Sequence, residues 1–242
     1  MPSASRVPSR ARWAGVPAED RRAERRALLI AAAYELLGTE GWSGTTVRAV
    51  CQRARLNPRY FYESFPGLDD LVVAVYDQVV AELADEVLAA RAAAPDDDQR
   101  AQVHAVVERI VRFVDEDRRR ARVLYVEALG NEALNRRRIE TGHSLAELVE
   151  RDAAGRRGAG RGDGAPADRI GRIGAAILVG GFSELLVAWL AGRIDVGREQ
   201  LVDDATVLFL ALGEAAAGVA AGRTGRSGRP PQGPGERRGE PT

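Results

Sequence analysis

Residues 45–65, TTVRAVCQRARLNPRYFYESF, hold the densest set of side chains suited to gripping another molecule. Arg59 brings a guanidinium fork that matches guanine edges and phosphate oxygens. The hydroxyls of Tyr60 and Tyr62 can donate to phosphates, and their rings can lie against thymine methyl groups. An apolar spine of Val47, Val50, Leu56, Phe61 and Phe65 runs through the same stretch. Turning that spine inward leaves Arg59, Tyr60 and Tyr62 outside on a short helix. Folding gains little from two tyrosines in water, whereas a helix in the major groove of DNA uses such side chains. Each has a plainer competitor: Arg48 and Arg59 as solvated helix residues, Tyr60 packed against the preceding helix, Tyr62 in the core. The arm arginines Arg6, Arg10 and Arg12 suit either a minor groove or a solvated tail.

Catalysis has no comparable set. The two histidines, His104 and His143, have no cysteine or acid at metal-ligand spacing, and neither a glycine-rich phosphate loop nor a nucleophile elbow occurs. Neither an enzyme, a metal nor a cofactor is called for. Cys51 is expected to be a small buried apolar residue, since no second thiol exists to trap an oxidised one.

Helices must position these groups. From Asp20 to Thr39, Leu29, Ile30, Ala33, Leu36 and Leu37 recur at helical spacing, and Gly41 suits a helix end. Thr45 is expected to cap a second helix through about Arg53. Asn57 should cap a third through about Ser64, with Pro58 in its first turn, where a missing N–H costs nothing. After Pro66-Gly67 a long helix runs from Leu68 to about Ala92, with Leu71, Val75, Val79, Leu83 and Val87 on one stripe. Further helices are expected over 99–115, 118–129, 132–152, 166–192 and 197–220, with a mobile Gly/Arg-rich linker at 153–165. Strand alternation is not evident, so the fold class is all-α. The division is a flexible arm (1–19), a helix-turn-helix unit (20–66), a helical regulatory body (67–221) and a disordered tail (222–242).

Charge follows the same division. Every basic residue is Arg, and 35 of them balance 35 acids over the 242 residues, yet residues 1–66 hold eleven Arg against six acids. A basic front on a mildly acidic body suits an anionic partner for the front alone. With 45% hydrophobic and 29% charged residues the balance is that of a soluble globular chain. The lone cysteine fits a reducing cytoplasm. The most apolar run, Gly174 to Leu190, falls short of a membrane span of about 20 residues and is expected to be a buried helix.

The segments LIAAAYELLGTEGW, TTVRAV, ARLNPRYFYESF and PGLDDL, within residues 29–71, resemble the DNA-binding domain of the tetracycline-repressor (TetR) family. The resemblance covers about the first third of the chain. It implies DNA contacts from Arg48, base reading by Arg59 and Tyr60, and a phosphate grip by Tyr62, with Thr46 a second phosphate candidate. Three positions depart from the family pattern: Arg55 stands at the usual turn glycine, Leu68 at a common phosphate-binding lysine, and Ser64 at a usual histidine. Arg55 then adds a charge near DNA, while Leu68 removes a contact. The resemblance further implies a C2 homodimer formed by the last two helices, a double-stranded, palindromic operator, and a small-molecule effector bound in the body. Repression is the family's commoner habit. Candidate pocket residues are Tyr76, Phe113, Tyr125, Phe182 and Trp189, although an aromatic at helical spacing is more often core. Glu184, inside ILVGGFSELLVAWL, would need a partner or a polar ligand if buried. Gly180-Gly181 would let two helices approach closely.

Overall fold

Helix formation here is governed by apolar spacing and by side chains that satisfy the first free N–H groups of each helix. In the computed structural model, which describes residues 18–156 and 165–227, the order is α1 (Ala18–Thr39), α2 (Gly41–Gly44), α3 (Val47–Ala54), α4 (Pro58–Tyr62), α5 (Leu68–Ala93), α6 (Gln99–Glu116), α7 (Arg118–Ala121), α8 (Glu132–Arg156), α9 (Ala165–Leu190) and α10 (Arg198–Ser227). No strand occurs among the described residues. The expected arm lies outside them except for its last residues, which already belong to α1.

Several expectations shift. Thr46, not Thr45, caps α3, its Oγ1 accepting from the Ala49 amide at 3.1 Å, while Thr45 is buried and donates to the Gly41 carbonyl at 2.8 Å. Between α7 and α8 the chain passes through one π turn, Arg122–Val126, and a 3₁₀ turn, Glu127–Gly130, instead of one regular helix. Residues 153–156 of the expected linker continue α8 through Arg156, and 157–164 lie outside the described part. Residues 222–227 of the expected tail continue α10 to Ser227, and 228–242 likewise lie outside it.

One hydrophobic core joins the front to the body. Leu29, Ala33 and Leu37 of α1 meet Val50, Cys51, Phe61 and Phe65, and Leu71, Val75 and Val79 of α5 carry the core on to Val107, Val111, Phe113 and Val123. Burial of Cys51 pushes its thiol pKa up, as expected of an inert core residue. In the body, α5 packs against α6 and α8, α8 against α9, and α9 and α6 against α10.

The run around 174–190 is not the buried helix expected. α9 is longer, and Arg169–Leu190 is long and apolar enough to cross a membrane by length and composition, with a mean hydropathy of 1.9 and only 17% of that window buried within the chain. On its open side Ile173, Ile177, Gly180 and Glu184 succeed one another at helical spacing, all exposed. Glu184 therefore lies on the open side of α9 rather than in the interior of the chain. α10 has a matching open stripe through Leu208, Ala211, Ala215 and Val219.

A polar seam ties α1 to the body. Tyr34 donates to Asp117 at 2.8 Å, and Arg119 closes on the same carboxylate. Arg122 donates to the Thr39 carbonyl at 2.8 Å, satisfying the free end of α1 with a cation where the helix dipole favours one. It also holds Glu127 at 2.8 Å, and Glu127 in turn accepts from the Trp42 amide at 2.7 Å. Two glycines make this approach possible. A Cβ on Gly38 would lie 2.4 Å from Arg119 Cβ, and Gly41 adopts φ +76° directly beneath the Arg122–Glu127 pair.

Candidate nucleic-acid interface

The reading face is assembled from three local decisions. Thr46 fixes the start of α3, which places Arg48 in its first turn, exposed and without an ion pair among the described residues. Because Thr46 Oγ1 accepts the cap hydrogen bond through a lone pair, its own O–H remains available to donate. Asn57 then starts α4, its Oδ1 accepting from the Arg59 amide at 2.9 Å with Pro58 behind it. Phe61 and Phe65, both buried, pull α4 onto the core, and their rings lie 6.1 Å apart.

The turn between α3 and α4 depends on Arg55, which holds φ +55°, ψ +39°, the left-handed conformation that usually falls to glycine. The Leu56 amide reaches back to the Cys51 carbonyl at 2.9 Å and closes the helix end. Arg55 tolerates this backbone while keeping its side chain in solvent.

Arg59 and Tyr62 stand out from α4 as the sequence predicts. The Arg59 side chain is 82% exposed and Tyr62 is 64% exposed, the Tyr62 ring lying edge-on to Phe61 at 5.2 Å. A shallow concavity between α3 and α4 brings Arg48 and Tyr62 together with Val47, Gln52, Leu56 and Pro58. Tyr60 differs from its companions. It is half-buried under the Arg25 guanidinium of α1, 4.4 Å from the ring centre, so its packing reading is realised.

Sequence reasoning missed three participants. Gln52 shares the concavity with Arg48, and only the turn of α3 reveals it. Glu63 follows α4 and bonds Arg59 four positions back, and Arg25 reaches Tyr60 and Glu63 from α1, a contact that depends on the approach of α1 to α4. Arg53, by contrast, is committed to α1 through Glu35 at 2.7 Å. Leu68 packs its side chain against the core at the start of α5 and leaves Asp69 and Asp70 in the first turn.

The candidate pocket residues of the body are spread over α5, α6, the π turn and α9. Phe113 is in the core, with Arg120 stacked on it at 3.9 Å. Phe182 meets Phe209 of α10 edge-on at 5.0 Å, and Trp189 donates to the Val196 carbonyl at 2.9 Å. Burial pushes the hydroxyl pKa values of Tyr76 and Tyr125 up, and at Tyr125 the charge of Tyr76 adds to the effect. Glu184 faces away from all of them. Among the described residues no cluster of His, Cys, Asp or Glu could hold a metal.

A helix-turn-helix with arginine and tyrosine on its open face, followed by a helical body, defines a class of DNA-binding regulator. Residues 29–75 match the family model of bacterial regulatory proteins, tetR family. Solved structures of the same fold include a TetR-like transcriptional regulator from Rhodococcus sp. RHA1, at 20% identity and a TM-score of 0.56 over 88% of this chain and 100% of that one. The fatty acid degradation regulator FadR from Bacillus halodurans aligns at 15% identity and a TM-score of 0.60, covering 77% and 94%. The multidrug binding protein EbrR, solved with imidazole, aligns at 24% identity and 0.56, covering 76% and 94%. No curated protein gives a significant sequence match.

Proposed function

We propose that this chain is a cytoplasmic transcriptional repressor, not an enzyme, that binds a palindromic duplex operator as a homodimer and is released by a small-molecule effector. The observation that carries the reading is the shared open face of Arg48, Arg59 and Tyr62, three large polar side chains held outward by a rigid apolar spine. Arg48 and Tyr62, with Thr46 and Arg55, would grip phosphates while Arg59 reads a base edge.

Dimerisation rests on the open stripes of α9 and α10. Ile173, Ile177, Leu208 and Val219 are each 45% or more exposed, a large apolar surface for a single chain to leave wet. A second copy of the same helix pair covers both stripes by two-fold symmetry, and Gly180 with Ala176 lets the backbones approach. The two recognition helices would then face successive major grooves, roughly 34 Å apart. Effector control draws support from the likeness to the EbrR fold, whose protein is described as multidrug binding. The body, lined by Tyr76 and Tyr125, is where such a ligand would bind.

Selection of bound sequences from a random duplex pool by the purified chain tests the reading. A palindrome should be enriched by the wild type and lost with Arg59→Ala and Tyr62→Ala. Absence of enrichment at low salt overturns it.

A further inference from the structure

The exposed arginine of α4 is not loose. Arg59 Nε donates to Glu63 Oε1 at 3.0 Å, one helical turn further on. The other oxygen, Glu63 Oε2, lies 3.7 Å from Arg25 Nη2 on α1. The Arg25 guanidinium in turn covers the Tyr60 ring at 4.4 Å. Exposure falls along this chain of contacts, from 82% at Arg59 through 31% at Glu63 to 17% at Arg25. The outer end is therefore in water and the inner end is anchored in the protein.

An ion pair this exposed contributes little to stability. Its effect is geometric. A guanidinium offers two forked edges, one combining Nε with a terminal nitrogen and one formed by the two terminal nitrogens. Glu63 occupies Nε and leaves the two terminal nitrogens without a partner among the described residues, on a side chain that is 82% exposed. Reading guanine needs such a fork, because O6 and N7 must both be met.

We propose, resting on the DNA-reading assignment above, that Glu63 is a positioning residue for base specificity: it holds Arg59 by Nε and presents the two terminal nitrogens to one guanine in each half-site. Glu63 also carries a negative charge close to the phosphates, so it discourages indiscriminate grip. Without it Arg59 is free to swing to the nearest phosphate, and base preference is exchanged for affinity without preference.

The test uses the full chain as wild type, Arg59→Ala, Glu63→Ala and Glu63→Gln. Each is taken through selection on a random duplex pool, then titrated against the selected duplex and its single-position variants, with thermal melting as a control. A guanine position lost in Arg59→Ala should lose discrimination by roughly tenfold in Glu63→Ala, while binding to random duplex stays equal or rises and the melting temperature is unchanged. Glu63→Gln should keep an intermediate discrimination, because its amide oxygen still accepts from Nε. Wild-type guanine discrimination in Glu63→Ala overturns the proposal and leaves DNA reading intact. So does an equal loss of affinity on every sequence, which marks a merely structural role. If the wild type selects nothing, the DNA-reading assignment falls, and this proposal with it.

Discussion

The Tyr34 hydroxyl donates to Asp117 Oδ2 across 2.8 Å, joining the first helix of the DNA-binding unit to the turn that precedes α7 in the body. Asp117 has further duties there. It accepts from the Arg119 amide at 3.0 Å and from the Arg119 guanidinium at 2.7 Å, which holds its carboxyl at about 2. Burial and the Asp117 bond push the Tyr34 hydroxyl pKa upward.

Removing the Tyr34 hydroxyl should therefore loosen the joint without exposing a naked charge, because Arg119 stays on Asp117. Tyr34→Phe is expected to cost about 1–2 kcal/mol in urea unfolding. The pH dependence has a definite sign. A carboxyl depressed from 3.8 to about 2 stabilises the fold fully above its ordinary range, and that contribution is lost as pH falls from about 4 toward 2. Asp117→Asn should flatten that part of the stability profile and leave the slope above pH 5 unchanged.

Arg55 stores a small strain in the turn. Arg55→Gly should raise stability by about 0.5–1 kcal/mol, the relief of a left-handed residue less the extra freedom glycine gives the unfolded chain. Duplex affinity should fall at the same time, with the salt slope shallower by about one if Arg55 meets a phosphate. A melting curve and a salt titration on one preparation check both.

Phe61 and Tyr62 are neighbours with opposite fates. Phe61→Ala, which empties a fully buried site, should cost about 3–5 kcal/mol. Tyr62→Ala should change stability by under about 1 kcal/mol, yet weaken duplex binding. Equal destabilisation by the two would contradict the placement of Tyr62 outside the core.

A charge on the open stripe tests the dimer. Ile177→Glu with Leu208→Glu should give a species of 26.0 kDa in light scattering where the wild type gives twice that mass. The operator affinity of the double variant should drop steeply, since one half-site remains. A wild type already monomeric at micromolar concentration would remove the basis for a two-fold operator.

Much of the reading unit was legible because its determinants are local. Asn57 and Pro58 start α4 through bonds within a few residues, and Asp98 caps α6 by accepting from the Ala101 amide at 2.9 Å. Thr45 and Thr46 were confused because type cannot separate two adjacent threonines. What separates them is the Gly41 carbonyl, which draws Thr45 inward. Composition misled at 153–156 and 222–227, where glycine and arginine read as loop while the chain continues as helix. Tyr60 was settled only by Arg25, which reaches it from 35 positions away in sequence. The surroundings of Glu184 were not legible, because α9 has an open apolar side as well as a packed one, and an apolar sequence does not say which side a residue takes.

The π turn at Arg122–Val126 fixes a phase relation between the two halves of the chain. It fits one more residue into a turn than an α-helix holds, and it lies between Arg122, which meets the end of α1, and Glu127, which meets Trp42. In a regular α-helix residues five apart stand about 140° from each other around the axis, so straightening this turn without removing a residue would part Arg122 from Glu127. Glu127 would then turn away from the Trp42 amide and leave it unmet. The segment thus keeps angular time for the molecule: its length in residues, more than their identity, sets how the body is keyed to the unit that reads DNA.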